Sequence, residues 1–379
     1  MTDVLIVGAG LAGSAAAIQL ARRGYAVEIL DQASFPRRKP CGEGLFSHGV
    51  QELAALGVLD DVAGEASILE SMSFSLDGRT VEAPLPASFT AHLGIRRDVL
   101  DGVLFNAAAK AGARMRTGIQ VRKAIKSGNG FELETTQGVF GARVIMAADG
   151  IHSRIRGDAG LGRPTRARRF GVSAHLKTAR TIPPQVQISF EKHYEVYVTP
   201  VGPQSLNVAL LMKDPQSMGF KGNLAGRFRE LNEAAGIDGE LTDEPMMAGP
   251  FPASATALSK DNLVLIGDAA GFFDPITGEG MSLALRSARL GASAVARYLS
   301  GDSRAFAHYE RQHRAMTRNP IMLAQLMLFL AAHRSLGKQA IENLQRRPET
   351  LTRLIAVNNG LSGLTELRLR DLAALVLGR

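Results

Sequence analysis

The chain has 379 residues, of which 45% are hydrophobic and 21% charged, so it is long enough for two domains or for one domain with large insertions. Its single cysteine, Cys41, excludes an internal disulfide and favours a reducing, cytoplasmic compartment. The longest strongly apolar run, 321–332, is about half of the roughly 20 residues that cross a bilayer. The chain has no tryptophan and no basic run interleaved with aromatics, which argues against nucleic-acid binding, and no metal-ligand cluster stands out.

The formal net charge is +8, and residues 301–379 carry twelve Lys and Arg against six Asp and Glu. One interpretation is a basic amphipathic region that contacts an anionic membrane surface peripherally. The more ordinary interpretation is a set of solvated helix faces whose apolar stripes pack on the core. The sequence leaves both open.

The first thirty residues predict a strand, a glycine-rich turn, a helix and a second strand. Val4–Val7 and Val27–Leu30 are short apolar runs typical of buried parallel strands, and Ser14–Arg23 consists of good helix formers. Gly24 stands where a C-cap would end the helix. This order is that of a Rossmann-type dinucleotide-binding unit.

The turn reads Gly-Ala-Gly-Leu-Ala-Gly, and each glycine has a physical role. Gly8 permits a tight turn, Gly10 lets backbone approach a pyrophosphate, and Gly13 lets the helix pack on the strand. The free N–H groups of the helix N-terminus favour an anion. An acid 18 residues after the third glycine suits ribose hydroxyls. The predicted cofactor residues in this unit are Gly8, Gly10, Leu11, Ala12, Gly13 and Asp31.

The rest of the chain divides into regions with different sequence patterns. Helices are predicted at 49–56 and 97–111, a small β excursion at about 70–95, and a meander of short strands over 120–147. Proline-broken strands between 157 and 253 predict an antiparallel sheet inserted into the nucleotide domain. The predicted domains are 1–156, the insertion 157–253, the return to the nucleotide domain 254–300, and a helical region 301–379.

Two later motifs resemble those of the flavoprotein hydroxylases related to para-hydroxybenzoate hydroxylase. The stretch 148–156 is similar to their DGxxSxxR motif, and Gly-Asp-Ala-Ala-Gly at 267–271, with 275–281, to their second FAD fingerprint. The resemblance implies FAD and a glutathione reductase-like fold. By the same resemblance, further cofactor contacts fall on Arg97, Val121, Asp149, Gly267, Asp268, Gly278, Gly280 and Met281.

The loop 37–45, with Lys-Pro-Cys-Gly, resembles a segment of the geranylgeranyl reductase family that also occurs in flavin halogenases. In the family this loop runs beside the flavin, which makes Cys41, Glu43 and His48 catalytic candidates. Each has an ordinary alternative, such as a cysteine packed near the ring or a polar residue in the first turn of a helix. The basic residues 37–39 are candidates for steering the phosphates of NAD(P)H.

The departures from these families also carry information. The aromatic Tyr-x-Trp-x-Phe-Pro signature of the reductases falls on 195–200, where Tyr197 and Pro200 remain as candidate substrate contacts. A chain without tryptophan cannot hold the tryptophan signature of the halogenases.

The expected activity is therefore an FAD-dependent, NAD(P)H-dependent monooxygenation of a hydrophobic or aromatic small molecule. The alternative is flavin-dependent reduction of isoprenoid or polyketide C=C bonds, as in geranylgeranyl reductases. A non-catalytic FAD-fold escort for lipid-modified partners is the alternative from another class.

Overall fold

A computed structural model describes residues 2–86, 90–128, 130–165 and 168–363. The strands are β1 (Val4–Val7), β2 (Val27–Leu30), β3 (Gly44–Leu45), β4 (Ser67–Leu69), β5 (Ser71–Leu76), β6 (Arg79–Pro84), β7 (His92–Gly94), β8 (Arg114–Arg116), β9 (Val121–Ser127), β10 (Gly130–Thr135), β11 (Gly138–Phe140), β12 (Val144–Ala147), β13 (Gly162–Arg163), β14 (Arg169–Lys177), β15 (Gln185–Phe190), β16 (Tyr194–Gly202), β17 (Ser205–Met212), β18 (Glu240–Leu241), β19 (Met246–Phe251), β20 (Ala253–Ala255), β21 (Ser259–Lys260), β22 (Leu263–Leu265) and β23 (Gly271–Phe272). The α-helices are α1 (Leu11–Ala21), α2 (Ser47–Ala55), α3 (Leu59–Ala63), α4 (Arg97–Lys110), α5 (Arg154–Asp158), α6 (Leu224–Ala234), α7 (Gly280–Leu299), α8 (Ala305–Ala332), α9 (Arg334–Arg346) and α10 (Pro348–Asn358), with 3₁₀ turns at Gly267–Ala269 and Pro275–Thr277.

The nucleotide domain is built on a six-stranded sheet in the order β21-β22-β12-β1-β2-β8. The pairs are parallel except at the β21 edge, and β1 lies in the interior of the sheet. Helices α1, α4 and α7 cover one face, while the meander β9–β11 and α5 cover the other. Strands buried on both faces are continuous apolar runs, as β1 and β12 are. The expected Rossmann-type α/β fold is confirmed.

The second sheet has the order β18-β14-β17-β16-β15-β5-β6, and β19 also pairs with β14. Most pairs are antiparallel as expected, but β5 runs parallel to β15. The excursion predicted at about 70–95 therefore contributes β5 and β6 to this sheet, so the sheet is not confined to 157–253. Pairing of strands more than a hundred residues apart is a long-range event that local patterns do not encode.

A small sheet, β3-β7-β4, joins the two domains. Its Gly94 abuts the carbonyl of Pro200 on β16 so closely that a Cβ at this position would overlap the oxygen. Glycine is therefore required where the small sheet packs against β16 of the large sheet.

The C-terminal region is helical over 305–358, as predicted, and residues 364–379 lie outside the described residues. Helices α9 and α10 pack on β5 and β6 through a core that also includes residues of α8 and the large sheet. Within the described residues, α8 is the one helix with the length and composition of a membrane span, its best 18-residue window having a mean hydropathy of 1.2. A single such helix is weak evidence for a span, because core helices of soluble proteins have the same character.

Candidate active site

A cavity of about 610 Å³ lies between the six-stranded sheet and the large sheet. The glycine-rich turn, the end of β2, the loop 37–44 and the N-terminus of α7 all open onto it. Among the residues predicted from sequence, the cavity is lined by Gly8, Gly10, Leu11, Ala12, Asp31, Cys41, Glu43, Arg97, Val121, Asp149, Tyr197, Asp268, Gly278, Gly280 and Met281. Residues as far apart in the chain as Gly8 and Met281 thus converge on one space.

Two predicted cofactor glycines do not line this cavity. A Cβ at Gly13 would overlap the carbonyl oxygen of Gly8, and a Cβ at Gly267 would lie 2.7 Å from the Cβ of Ala12. Gly267 also has a φ of +58°. Both glycines are required because backbone or helix packs on them, not because a ligand does.

The predictions for His48 and Pro200 are also corrected. His48 turns away from the cavity, and its Nδ1 bonds the carbonyl oxygen of Asn359 beyond α10. Pro200 contributes its carbonyl to the contact with Gly94 and does not line the cavity. Only the tertiary fold shows that His48 faces the C-terminal helices, since its position in the first turn of α2 is compatible with either direction.

The glycine-rich turn has the conformation that the sequence predicts. Gly8 has a φ of +97°, and a Cβ there would overlap the carbonyl oxygen of Ala148. Gly10 is the N-cap of α1 in an extended conformation, with no side chain capping the helix. The N-terminal N–H groups of α1 therefore point into the cavity without a competing side chain, which is the arrangement that binds a phosphate.

Asp31 has a structural role in addition to the predicted one. Its Oδ2 accepts from the N–H of Ala9 at 2.7 Å, and its Oδ1 accepts from the N–H of Ala33 at 2.8 Å. The carboxylate fixes the glycine-rich turn against the end of β2 while one edge of it faces the cavity. Each oxygen retains a lone pair, so a ribose contact remains a prediction.

The motif at 148–156 is tied to the second fingerprint by Arg156. Its guanidinium donates to the carbonyl oxygens of Ile151, Asp268 and Ala269 at 2.7, 3.4 and 3.0 Å. Ser153 caps the short helix by accepting from the N–H of Arg156. The arginine of the motif thus holds two segments more than a hundred residues apart in one relative position.

Asp149 supplies a buried acceptor that lacks a partner. Burial raises the pKa of its carboxyl, and its Oδ1 makes no hydrogen bond within the described residues. An orphaned buried oxygen is costly unless a ligand or water satisfies it. Together with the open helix N-terminus and the uncrowded Gly10, it fits a dinucleotide bound along this side of the cavity.

At the other end of the predicted flavin site, α7 begins at Gly280 and points its N-terminus at the cavity. Gly278, with a φ of +70°, ends the preceding 3₁₀ turn. Between these glycines, Glu279 is only 2% exposed, and burial raises its pKa to about 8. A neutral Glu279 at pH 7 leaves the positive end of the α7 dipole available to an anionic ring edge.

Arg97 and Arg96 are clearly distinguished by the structure. Arg97 is buried, pairs with Asp101 through Nε at 2.8 Å and Nη2 at 2.9 Å, and lines the cavity. Arg96 pairs with Asp98 at the partly exposed N-terminus of α4. The predicted choice of Arg97 as the cavity-facing arginine agrees with this placement, and its contact with FAD remains a prediction.

Cys41 lines the cavity as a protonated thiol. Burial and the negative charge of Glu43 raise the pKa of the Cys41 thiol. Its backbone N–H donates to Ser173 Oγ at 3.2 Å, and its Sγ accepts from the N–H of Glu43 at 3.4 Å. A thiol is a poor nucleophile, so the environment does not favour covalent chemistry at this residue.

Glu43 connects the cavity to a buried ionic network. Its Oε1 accepts from the backbone N–H of Arg97 at 2.8 Å, and its Oε2 accepts from His175 Nε2 at 2.7 Å. His175 Nδ1 donates to Asp243 at 2.6 Å, and Arg38 lies 2.9 Å from the same carboxylate. Burial alone would lower the pKa of His175, but the hydrogen bonds to Asp243 and Glu43 raise it to about 9, so the imidazole is charged at neutral pH.

A second buried ionic network includes Tyr197. Arg169 bridges Glu195 and Asp274 at 2.7 Å each, and Tyr197 donates to Glu195 at 3.1 Å. Burial raises the pKa of Tyr197 well above its usual value, so the phenol stays protonated. Sequence reasoning missed Arg169, Glu195, Asp274, His175 and Asp243, because no local motif marks them.

The fold and the cavity define a flavin-binding oxidoreductase, and the comparisons agree. The FAD binding domain family model matches residues 1–323, so the chain belongs to that family. A flavin-dependent brominase, Bmp2, has a similar fold, with a TM-score of 0.80 at 19% identity over 95% of this chain and 93% of that one.

Several of the similar sequences are named as reductases. The menaquinone reductase of Mycolicibacterium smegmatis is 30% identical over 316 residues, covering 77% of this chain and 76% of the relative. The digeranylgeranylglycerophospholipid reductase of Methanocella arvoryzae is 29% identical over 331 residues, covering 82% of each. The protein is an FAD-dependent oxidoreductase, and the escort alternative is set aside.

Proposed function

We propose that this protein reduces carbon–carbon double bonds in an isoprenoid lipid, the alternative that the sequence left open beside monooxygenation. The observation that carries the proposal is a second chamber, of about 130 Å³, next to the main cavity. The two spaces share Met72, Ile188, Ile276 and Thr277 in their walls. The similarity to proteins named as isoprenoid-lipid and menaquinone reductases supports the same conclusion.

The chamber has the chemistry of a hydrocarbon site. Strands β5, β6 and β15 form one wall and helices α8–α10 the other. Of its lining side chains, Thr277 and Asn358 are the polar ones, and Asn358 donates to the carbonyl oxygen of Thr277 at 3.0 Å. A polar substrate would lose hydrogen bonds to water there without replacement, whereas an apolar chain gains about 25 cal/mol per Å² buried.

Bound FAD, once reduced, supplies the hydride for such a reaction, with NAD(P)H as the expected electron donor. The chain's own residues bind and orient the lipid, exclude water and deliver the proton. Tyr197 and Ile188 of the large sheet close the cavity on the substrate side. Arg37, Lys39 and Arg154 also line the cavity and are cationic groups that suit a phosphate-bearing donor.

A hydride added to one carbon of a double bond requires a proton at the other carbon. Glu43 lines the cavity and lies within hydrogen-bond distance of the charged His175. The side chain of Asp243, which pairs with His175, is 14% exposed and so links His175 to the protein surface. We propose that the proton moves from His175 Nε2 to Glu43 Oε2 and from there into the cavity. A proton from the surface then reaches His175 by way of Asp243 and restores the charge of the imidazole.

The decisive experiment is anaerobic turnover of geranylgeranyl diphosphate and of a menaquinone by dithionite-reduced protein, with mass spectrometry of the products. A gain of two hydrogens per double bond in the prenyl chain itself, without oxygen and absent when the protein is omitted, supports the proposal. Products that form only with oxygen and gain one oxygen atom would overturn it in favour of monooxygenation.

The chamber itself is tested by Ala331→Phe, a substitution in its α8 wall. The ring should fill the chamber and lower kcat/KM for a long chain about tenfold, while a short prenyl substrate is unaffected. Equal losses for both chain lengths would mean that the chamber does not hold the chain.

A further inference from the structure

The outer face of helix α8 carries an unusual stripe. Six side chains follow one another at intervals of three or four residues, which places them on one side of the helix. They are Arg311, Arg314, Arg318, Met322, Gln325 and Phe329. The N-terminal half of the stripe is basic, and the C-terminal half is largely apolar.

This stripe faces away from the protein. The three arginines and Gln325 are exposed, and Phe329 has 50% of its surface exposed. Met322, within the stripe, is half-buried and packs beside Leu323 and Val357. Phenylalanine is costly to leave in water, because its apolar surface gains free energy when it is buried.

The opposite face of the same segment already lines the apolar chamber inside the protein. Leu323, Leu326, Met327 and Leu330 line the apolar chamber. A helix on the surface of a globular protein ordinarily has a polar outer face. In α8 the apolar 18-residue window is only 17% buried, so intramolecular packing does not account for the apolar outer face.

The arginines are available to an anionic partner. Among the described residues no ion pair involves Arg311, Arg314 or Arg318. Glu310, the one acid within α8, accepts from the backbone N–H of Leu258. The formal net charge of +8 on every copy opposes self-association through this face and favours a negatively charged surface.

We propose that this face of α8 docks on an anionic lipid bilayer, with the exposed ring of Phe329 at the acyl boundary and the three arginines on lipid phosphates. The arrangement is that of an interfacial helix, which combines an apolar anchor with basic groups at headgroup level. Docking does not depend on the reaction proposed above. It brings the chamber-lining helix to the phase in which apolar lipids dissolve.

The test is co-sedimentation of the full-length, FAD-loaded protein with vesicles of phosphatidylcholine alone or mixed with phosphatidylglycerol. We expect salt-sensitive binding to the anionic vesicles. Phe329→Asp should lower the partition coefficient about tenfold, and an Arg314→Gln/Arg318→Gln pair about fivefold per charge removed. The matched control is Val139→Asp, which adds the same charge at a side chain that is 61% exposed on β11 and should change binding little.

Wild-type protein that stays in solution with anionic vesicles would overturn the proposal, as would equal binding by wild type and both α8 variants. A dimer in light scattering that Phe329→Asp dissociates would overturn it in favour of a second copy on this face. Circular dichroism and flavin content check that each variant is folded and holds its cofactor. If Phe329→Asp fails these checks, the arginine pair and the salt titration decide.

Discussion

The cavity has two ends that are built by different means. At the nucleotide end the groups that line the cavity are mostly the backbone of glycines and helix N-termini, together with the carboxylates of Asp31 and Asp149. At the substrate end they are side chains on the large sheet and the loop 37–44, supported by two buried ionic networks. A backbone site is sensitive to any added Cβ, whereas an ionic site is sensitive to the balance of its charges.

The comparison predicts that substitutions at the substrate end affect rate and stability most, and that those at the nucleotide end affect cofactor retention.

The largest effect is expected for Glu43→Gln. Loss of the proton path should lower kcat about 10²–10⁴-fold without loss of FAD. In the wild type, activity should fall as pH rises through about 9, because His175 then loses its proton. That alkaline limb should disappear in the variant, as measured by initial rates between pH 6 and 10.

Glu43→Asp, which keeps a carboxylate, is the control and should recover part of the rate. Full activity of Glu43→Gln with an unchanged pH profile would show that the residue only fixes the loop.

Arg169→Met should cost about 3–5 kcal/mol of unfolding free energy, because it leaves Glu195 and Asp274 buried without a cation. Urea denaturation measures this cost. The control is Arg143→Met, whose ion pair with Asp3 is exposed and should be worth less than about 1 kcal/mol. Equal effects of the two substitutions would contradict the importance assigned to the network.

Glu279→Gln tests the pH dependence of stability. The folded protein keeps Glu279 protonated up to about pH 8, while the unfolded chain ionises near its ordinary value, so stability falls as pH rises between these values. In that range, ionisation of Glu279 in the unfolded chain lowers the free energy of unfolding by about 1.4 kcal/mol for each unit that the pH rises. The variant should be stabilised relative to wild type at pH 8 more than at pH 5. Parallel stability curves in urea titrations would exclude a buried neutral acid.

The smallest effect is expected for Gly10→Ala. The new Cβ would lie 3.3 Å from Arg37 Nη2, the end of a flexible side chain, so the protein should fold. It would enter the space of the pyrophosphate and weaken FAD binding about tenfold, measured by equilibrium dialysis. Gly64→Ala, with open space around its Cβ, should bind FAD normally. Wild-type affinity in the first variant would contradict the predicted phosphate position.

The nucleotide end could be predicted closely from the sequence. The strand β1, the turn and the helix α1 are contiguous, so local patterns placed Gly8, Gly10 and Asp31 at one site. The prediction failed for His48 and Pro200, because the direction of a side chain depends on what packs against its element. His48 meets a carbonyl more than three hundred residues later in the chain.

The amino-acid sequence was enough to predict the Rossmann-type unit, the flavin family and the loop that carries Cys41 and Glu43, because each of these depends on residues close together in the chain. Only the tertiary structure decided that β5 and β6 join the large sheet and that α8–α10 enclose an apolar chamber. It also decided that His175 and Asp243 lie in a hydrogen-bonded chain with Glu43. The physical reason is that such contacts join segments far apart in sequence, and their free energy exists only after the whole chain has packed.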